Sequence, residues 1–199
     1  MAGIKVHKID LDNFQFEELD NRLIEEMKEL INEGSSALDG GRYELPHHSE
    51  LPERLKGMYT RYDLKGRNQH FGTKDTIYFA LNLAYNWWLR KLKPQLLIGD
   101  ISAKNFSDTK GHKSHKTGTH IDLDLSYYLP KDADYDIDKK TKCAILCGMM
   151  LALGAKRVLF NDRDVMTAVN QFAVKNNYSG RVVDGVPGHD NHFHAELPL

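Results

Sequence analysis

The chain has 199 residues, with 27 Lys and Arg against 28 Asp and Glu and a formal net charge of -1. That length suits one domain with one real core, and the near-neutral balance excludes a global pull toward nucleic acid or an anionic membrane. No apolar run reaches membrane-spanning length, and Met1-Ala2-Gly3-Ile4-Lys5 lacks the apolar stretch of a secretory signal.

The first predicted element is an amphipathic helix over about 13–32. Phe16, Leu19, Leu23, Met27, Leu30 and Ile31 recur at helical spacing, Asp12 or Asn13 can cap the start, and Gly34 can end it. Residues 1–41 read as an extra N-terminal helical segment and 42–199 as the main domain. Residues 34–48 have no clear periodicity, and His47-His48 is not at ligand spacing. Residues 54–72 are rich in Arg, Lys, Tyr and Gly and read as irregular structure or a short hairpin. Thr73 is a candidate N-cap for a second helix, with Asp75 in its first turn. Ile77, Leu81, Ala84, Trp88, Leu89 and Leu92 supply its apolar face, and Pro94 stops it. Residues 95–100 read as a buried strand, followed by a polar loop over 101–110.

Ile121-Asp122-Leu123-Asp124-Leu125 alternates strictly, which predicts a strand with both aspartates on one face. Residues 131–140 form a charged loop. Asp138 can cap a third helix that Gly154 ends, and Cys143 and Cys147 inside it read as small core residues. Residues 158–160 make a short strand. Asp162 caps a fourth helix with Val165, Val169 and Phe172 inward, residues 180–188 read as a loop, and 191–197 as a last strand. The order lacks regular alternation and a glycine-rich phosphate loop, which argues against a doubly wound nucleotide fold. The predicted class is α+β, a single compact domain with a small, mainly antiparallel sheet flanked by helices.

Ten histidines are the unusual count, and six of them fall in two stretches. One is His112-Lys113-Ser114-His115-Lys116-Thr117-Gly118-Thr119-His120-Ile121-Asp122; the other is His189-Asp190-Asn191-His192-Phe193-His194. Gly118 permits a sharp turn that brings His115 and Asp122 together. His192 and His194 alternate with Phe193 and reach one side of a strand. Two carboxylates on one strand face also ask for a cation or donors. A metal site follows, with His115, Asp122 and His194 as ligands and a fourth position open, as catalytic zinc requires. His192 would then stand beside the open position. No H-E-x-x-H and no G-x-S-x-G is present.

The pattern H-x-x-H-x-x-G-x-x-x-D with a late H-x-x-H-x-H resembles the penicillin-insensitive murein endopeptidases, within the lysostaphin, D-Ala-D-Ala peptidase and hedgehog-like zinc folds. Arg67-Asn68, His70-Phe71-Gly72, the helix after Thr73 and Leu97-Ile98-Gly99-Asp100 extend the resemblance over roughly residues 60–199. It implies Zn2+ on His115, Asp122 and His194. His192 matches the histidine that contacts the metal's water, and with His189 it forms the expected catalytic pair. His112, Ser114 and Asp124 are expected to contact ligands or substrate. Two positions depart from the pattern: His120 stands where an aspartate is frequent, and Glu196 where an arginine is usual. The implied activity is hydrolysis of peptidoglycan cross-links, with the D-Ala–diaminopimelate bond favoured. The implied partners are peptide stems, with no nucleic acid and no membrane insertion. The expected place of action is the periplasm or cell wall, reached by a route other than a visible signal or after its removal. Such a chain would be a phage lysis enzyme or an injected antibacterial effector, the latter with an immunity protein. Two alternatives stay open: a zinc peptidase acting on another peptide, and a non-catalytic zinc-binding module of the hedgehog-like branch.

Overall fold

A computed structural model describes residues 9, 11, 21–34, 42–62, 69–103, 115–125 and 137–198. Helix α1 (Asn21–Gly34) leads to β1 (Tyr43–Glu44), a 3-10 turn (Glu53–Leu55), β2 (Tyr59–Arg61), β3 (Phe71–Gly72) and α2 (Lys74–Leu89). Strands β4 (Leu96–Ile98) and β5 (His120–Asp124) follow, then α3 (Ile137–Ala152), β6 (Arg157–Leu159), α4 (Arg163–Lys175), β7 (Arg181–Val183) and β8 (Phe193–Glu196). Among the described residues, no helix is long and apolar enough to cross a membrane.

The fold is α+β. Six strands form one sheet in the order β2-β4-β5-β8-β6-β7, and β1 pairs with β3 in a small second one. The three central pairings, β4–β5, β5–β8 and β8–β6, are antiparallel, whereas β2–β4 and β6–β7 at the two edges are parallel. The sheet is therefore mixed, with its antiparallel part in the middle. Each parallel edge is a helical crossover, α2 between β2 and β4 and α4 between β6 and β7.

Two of these strands lie where the sequence suggests otherwise. β7 occupies part of the expected loop over 180–188, and β2 part of the irregular region over 54–72. Each is only three residues long, too short to show a period, and only Val182 of β7 is buried. The last strand begins at Phe193, two residues later than expected, so His192 precedes it. The described part of the first helix starts at Asn21; its expected caps, Asp12 and Asn13, lie outside the described residues.

The helices cover one face of the large sheet. α2 packs on β4 and β5, α3 on β6, and α4 on β7, with α3 between its two neighbours. Alternation on β5 and β8 turns Ile121, Leu123, Phe193 and Ala195 into this layer, where all four are buried. Phe193 stacks on Phe160 at 4.2 Å between ring centroids. Met27 and Ile31 of α1 join the same core, as do Cys143 and Cys147, both free thiols. α2 is buried on more than the predicted stripe, because Phe79, Ala80, Leu83 and Trp87 are inside as well. Its start is as read: Thr73 Oγ1 accepts from Thr76 N at 3.2 Å. The helix ends at Leu89, before Pro94, whose carbonyl accepts from Trp87 Nε1. The same alternation leaves Asp122 and His194 on the face away from the helices.

Candidate metal centre

Two adjacent strands and one turn build the site. β5 and β8 run antiparallel in a register that sets Asp122 opposite His194, and His120 opposite Glu196. His115 arrives from the turn before β5. Gly118 in that turn has φ +70, in the left-handed region, and its carbonyl accepts from Thr73 N at 3.0 Å. A Cβ on Gly72 would stand 3.0 Å from that same carbonyl, so Gly72 is the surface on which the turn rests. The turn thus folds the chain back to bring His115 and Asp122 together.

The three predicted ligands meet. His194 Nδ1 lies 2.8 Å from Asp122 Oδ1, and His115 Nε2 lies 3.4 Å from the same oxygen. The rings of His115 and His194 stand edge to face, 4.9 Å apart at 85°. One ligand atom from each residue falls within 4.8 Å of the others, so the group could hold a metal ion. Ligand atoms in a tetrahedral shell with bonds of about 2.0–2.2 Å lie about 3.3 Å or a little more apart. Two imidazoles and a carboxylate at this spacing therefore fit such an ion with little movement.

Hydrogen bonds and charge hold the group together. Burial alone would raise the Asp122 pKa, but hydrogen bonds from His115 and His194 outweigh it and hold the carboxylate well below its ordinary range. Burial opposes a charge on His115, yet Asp122, the Ile101 carbonyl and Asp100 together raise its pKa. His115 Nδ1 donates to Ile101 O at 2.6 Å, which fixes the ring and aims Nε2 at Asp122. An incoming cation would have to displace protons from this cluster.

His192 stands at the rim, half-buried, with Nε2 3.9 Å from Asp122 Oδ1. Its Nδ1–H donates to Asn191 Oδ1 at 3.0 Å, so Nε2 is the nitrogen turned to the site. The His189 ring lies 5.1 Å from His192 and 5.4 Å from His194. Burial, and then the neighbouring His194, lower the His189 pKa, which keeps it neutral near pH 7. The structure therefore brings five predicted residues together: His115, Asp122, His194, His192 and His189. His112 and Ser114 lie outside the described residues. Asp124 shares a strand face with Asp122 but is not in the metal-holding group, and its field instead helps raise the Cys143 pKa.

Four participants were given no role by the sequence reading. His120 Nδ1 is 2.9 Å from His194 Nε2, and burial with the field of His194 lowers its pKa to about 4. Glu196 lies 4.0 Å from His194 Nε2 and is clamped by Arg157, Nε to Oε2 at 2.8 Å and Nη2 to Oε1 at 2.6 Å. Despite its burial, that clamp keeps Glu196 below the usual carboxylate range. Asn161 ties down the loop carrying His189: its amide bonds Val186 at both nitrogen and carbonyl and donates to Asp190 Oδ1 at 3.0 Å. Buried Asp100 closes β4, and its carbonyl accepts from Asp122 N at 2.8 Å. The available signals were weak: a polar residue one or two places after the apolar runs 158–160 and 96–98, and a histidine and a glutamate at mirrored ends of the two ligand strands.

No protein-family model and no curated protein matches this chain.

Proposed function

We propose that the protein is a zinc metallopeptidase that hydrolyses peptide cross-links of peptidoglycan. The observation that carries the reading is the convergence of His115 Nε2 at 3.4 Å and His194 Nδ1 at 2.8 Å on Asp122 Oδ1, with His192 Nε2 3.9 Å from the same oxygen. Three mixed nitrogen and oxygen ligands leave one position of a tetrahedral shell open, which is the catalytic rather than the structural pattern of zinc. When bound, zinc supplies Lewis acidity that polarises a carbonyl and acidifies water.

The chain's own residues have separable roles. Asp122 brings the negative charge that retains a dication, and the Ile101 carbonyl fixes the coordinating tautomer of His115. His192 Nε2 takes a proton from water attacking the scissile carbonyl, or as imidazolium donates to the oxygen that gains charge. Its bond to Asn191 holds the ring for either task. His189, neutral and beside His192, faces the same side and donates or accepts toward the leaving peptide. The motif pattern favours the D-Ala–diaminopimelate cross-link, and action in the periplasm or cell wall goes with that substrate.

Metal analysis after dialysis tests the reading at its base. One zinc per chain in the wild type, and loss of it in His194→Ala and Asp122→Ala, is expected. Retention at wild-type occupancy in either variant refutes the ligand set. A zinc-loaded protein inactive on cross-linked muropeptides but active on another peptide would keep the chemistry and replace the substrate. Zinc without any hydrolysis would make it a binding module.

A further inference from the structure

The candidate metal centre occupies the middle of the sheet face that the helices leave uncovered. Along the chain, His192 stands two residues before His194 and Glu196 two residues after it. At a strand rise of about 3.3 Å per residue, each is displaced by about 7 Å from the ligand, in opposite directions. His192 is placed for the reacting atoms on its side. On the other side an open cavity of about 510 Å³ lies against the centre. His120 and Glu196 form the wall that it shares with the ligands. His120 Nδ1 is 2.9 Å, and Glu196 Oε1 4.0 Å, from His194 Nε2.

Backbone hydrogen bonds hold the cavity in shape. Leu197 N donates to Thr119 O at 2.9 Å, and Lys156 N to Glu196 O at 2.8 Å. The turn before β5, the end of β8 and the start of β6 are thereby tied around it. Its chemistry is one-sided. Glu196 is the only carboxylate among the described residues that line it, and Arg157 clamps both of its oxygens. That pair is neutral in sum and offers a cation little. Lys156, exposed at the rim, forms no ion pair among the described residues, so one positive charge is left over. Thr117 Oγ1 and Thr119 Oγ1 lie 2.7 Å apart; that bond uses one hydroxyl hydrogen and leaves the other to donate. Leu197 adds an apolar wall. An ammonium and a hydroxyl donor beside a small apolar surface fit a carboxylate next to a short side chain.

We propose that this cavity is a substrate subsite in which Lys156 binds a carboxylate one or two residues away from the scissile amide. The reach is right: an extended peptide advances about 3.3–3.6 Å per residue, so two residues cover the displacement from His194 to the cavity. The inference rests on the peptidase reading and deepens it by naming a determinant of specificity. Its consequence is a preference for peptide stems with a free carboxylate over the same stems amidated.

The test is steady-state hydrolysis of two cross-linked muropeptide dimers, alike except that the stem carboxylates are free in one and amidated in the other. Zinc-loaded wild type, Lys156→Met and Lys156→Arg are compared. Lys156→Met should lose about tenfold in kcat/KM on the free dimer, the size of one charge-assisted hydrogen bond at an exposed site. The loss should fall on KM, with kcat unchanged, and should be absent on the amidated dimer. Lys156→Arg should restore most of it. Zinc content and Tm should stay at wild-type values in both variants, because the side chain is exposed. Equal kcat/KM for wild type and Lys156→Met on the free dimer, or an equal loss on both dimers, overturns this inference and leaves the peptidase reading standing. A zinc-loaded wild type that cleaves neither dimer overturns the murein reading, and this inference with it.

Discussion

Gly118→Ala isolates the turn that makes the site. The residue sits at φ +70, where a Cβ meets the following carbonyl at a cost of about 1–2 kcal/mol. Alanine also restricts the unfolded chain, which returns about 0.4–1 kcal/mol. The net loss is then about 1 kcal/mol, or a fall in Tm of about 2–4 °C for a chain of this size. Relieving the strain means rotating the peptide whose carbonyl holds Thr73 N and rests against Gly72. That rotation moves His115 away from Asp122, so zinc affinity should fall by about tenfold or more, as when groups that orient ligands are disturbed. Gly57→Ala is the control. It has φ +82 with nothing within 4 Å of an added Cβ, in the turn before β2, so it should lower Tm by a similar amount and leave zinc affinity alone. Gly118→Asn, better tolerated at positive φ, should fall between wild type and alanine. Calorimetry of the metal-free proteins and chelator competition provide both readings. If Gly118→Ala melts and binds zinc like the wild type, the turn does not create the site.

His192→Ala should keep stoichiometric zinc and lose about 10²–10⁴-fold in hydrolysis; full activity with zinc retained removes the role given to His192. Asp162→Ala should cost about 0.5–2 kcal/mol, because Asp162 Oδ1 accepts from Asp164 N and Val165 N at the start of α4; chemical denaturation measures it, and an unchanged midpoint contradicts the cap. Burial pushes the Cys143 thiol up to about 12 and Cys147 well above its ordinary value. Their contribution to stability is complete below the ordinary thiol pKa and declines as pH rises through it toward 12. A thiol reagent at pH 8 should therefore label neither cysteine in the folded protein and both in denaturant, and rapid labelling of the folded protein would refute their burial.

The helices were legible because each is long enough to show its period, and two carry a capping residue as well; Asp138, expected to cap α3, lies inside its first turn. Thr73 and Asp162 cap α2 and α4. β5 was legible because His120–Asp124 alternates over five residues. β2 and β7 were not, because three residues at a sheet edge hold no measurable pattern and their partners, β4 and β6, are distant in sequence. At the site, Asp122 and His194 could be paired in the sequence through residue type and alternation. His120 and Glu196 could not, because their meaning depends on the register between β5 and β8. The Ile101 carbonyl that orients His115 is a backbone atom, and no residue type announces it.

The central claim is tested most directly by mass spectrometry of purified cross-linked muropeptides incubated with the protein. The account predicts conversion of dimers to monomers by hydrolysis at the cross-link, abolished by a chelator and restored by zinc. Intact dimers in the presence of protein carrying one zinc per chain would contradict it.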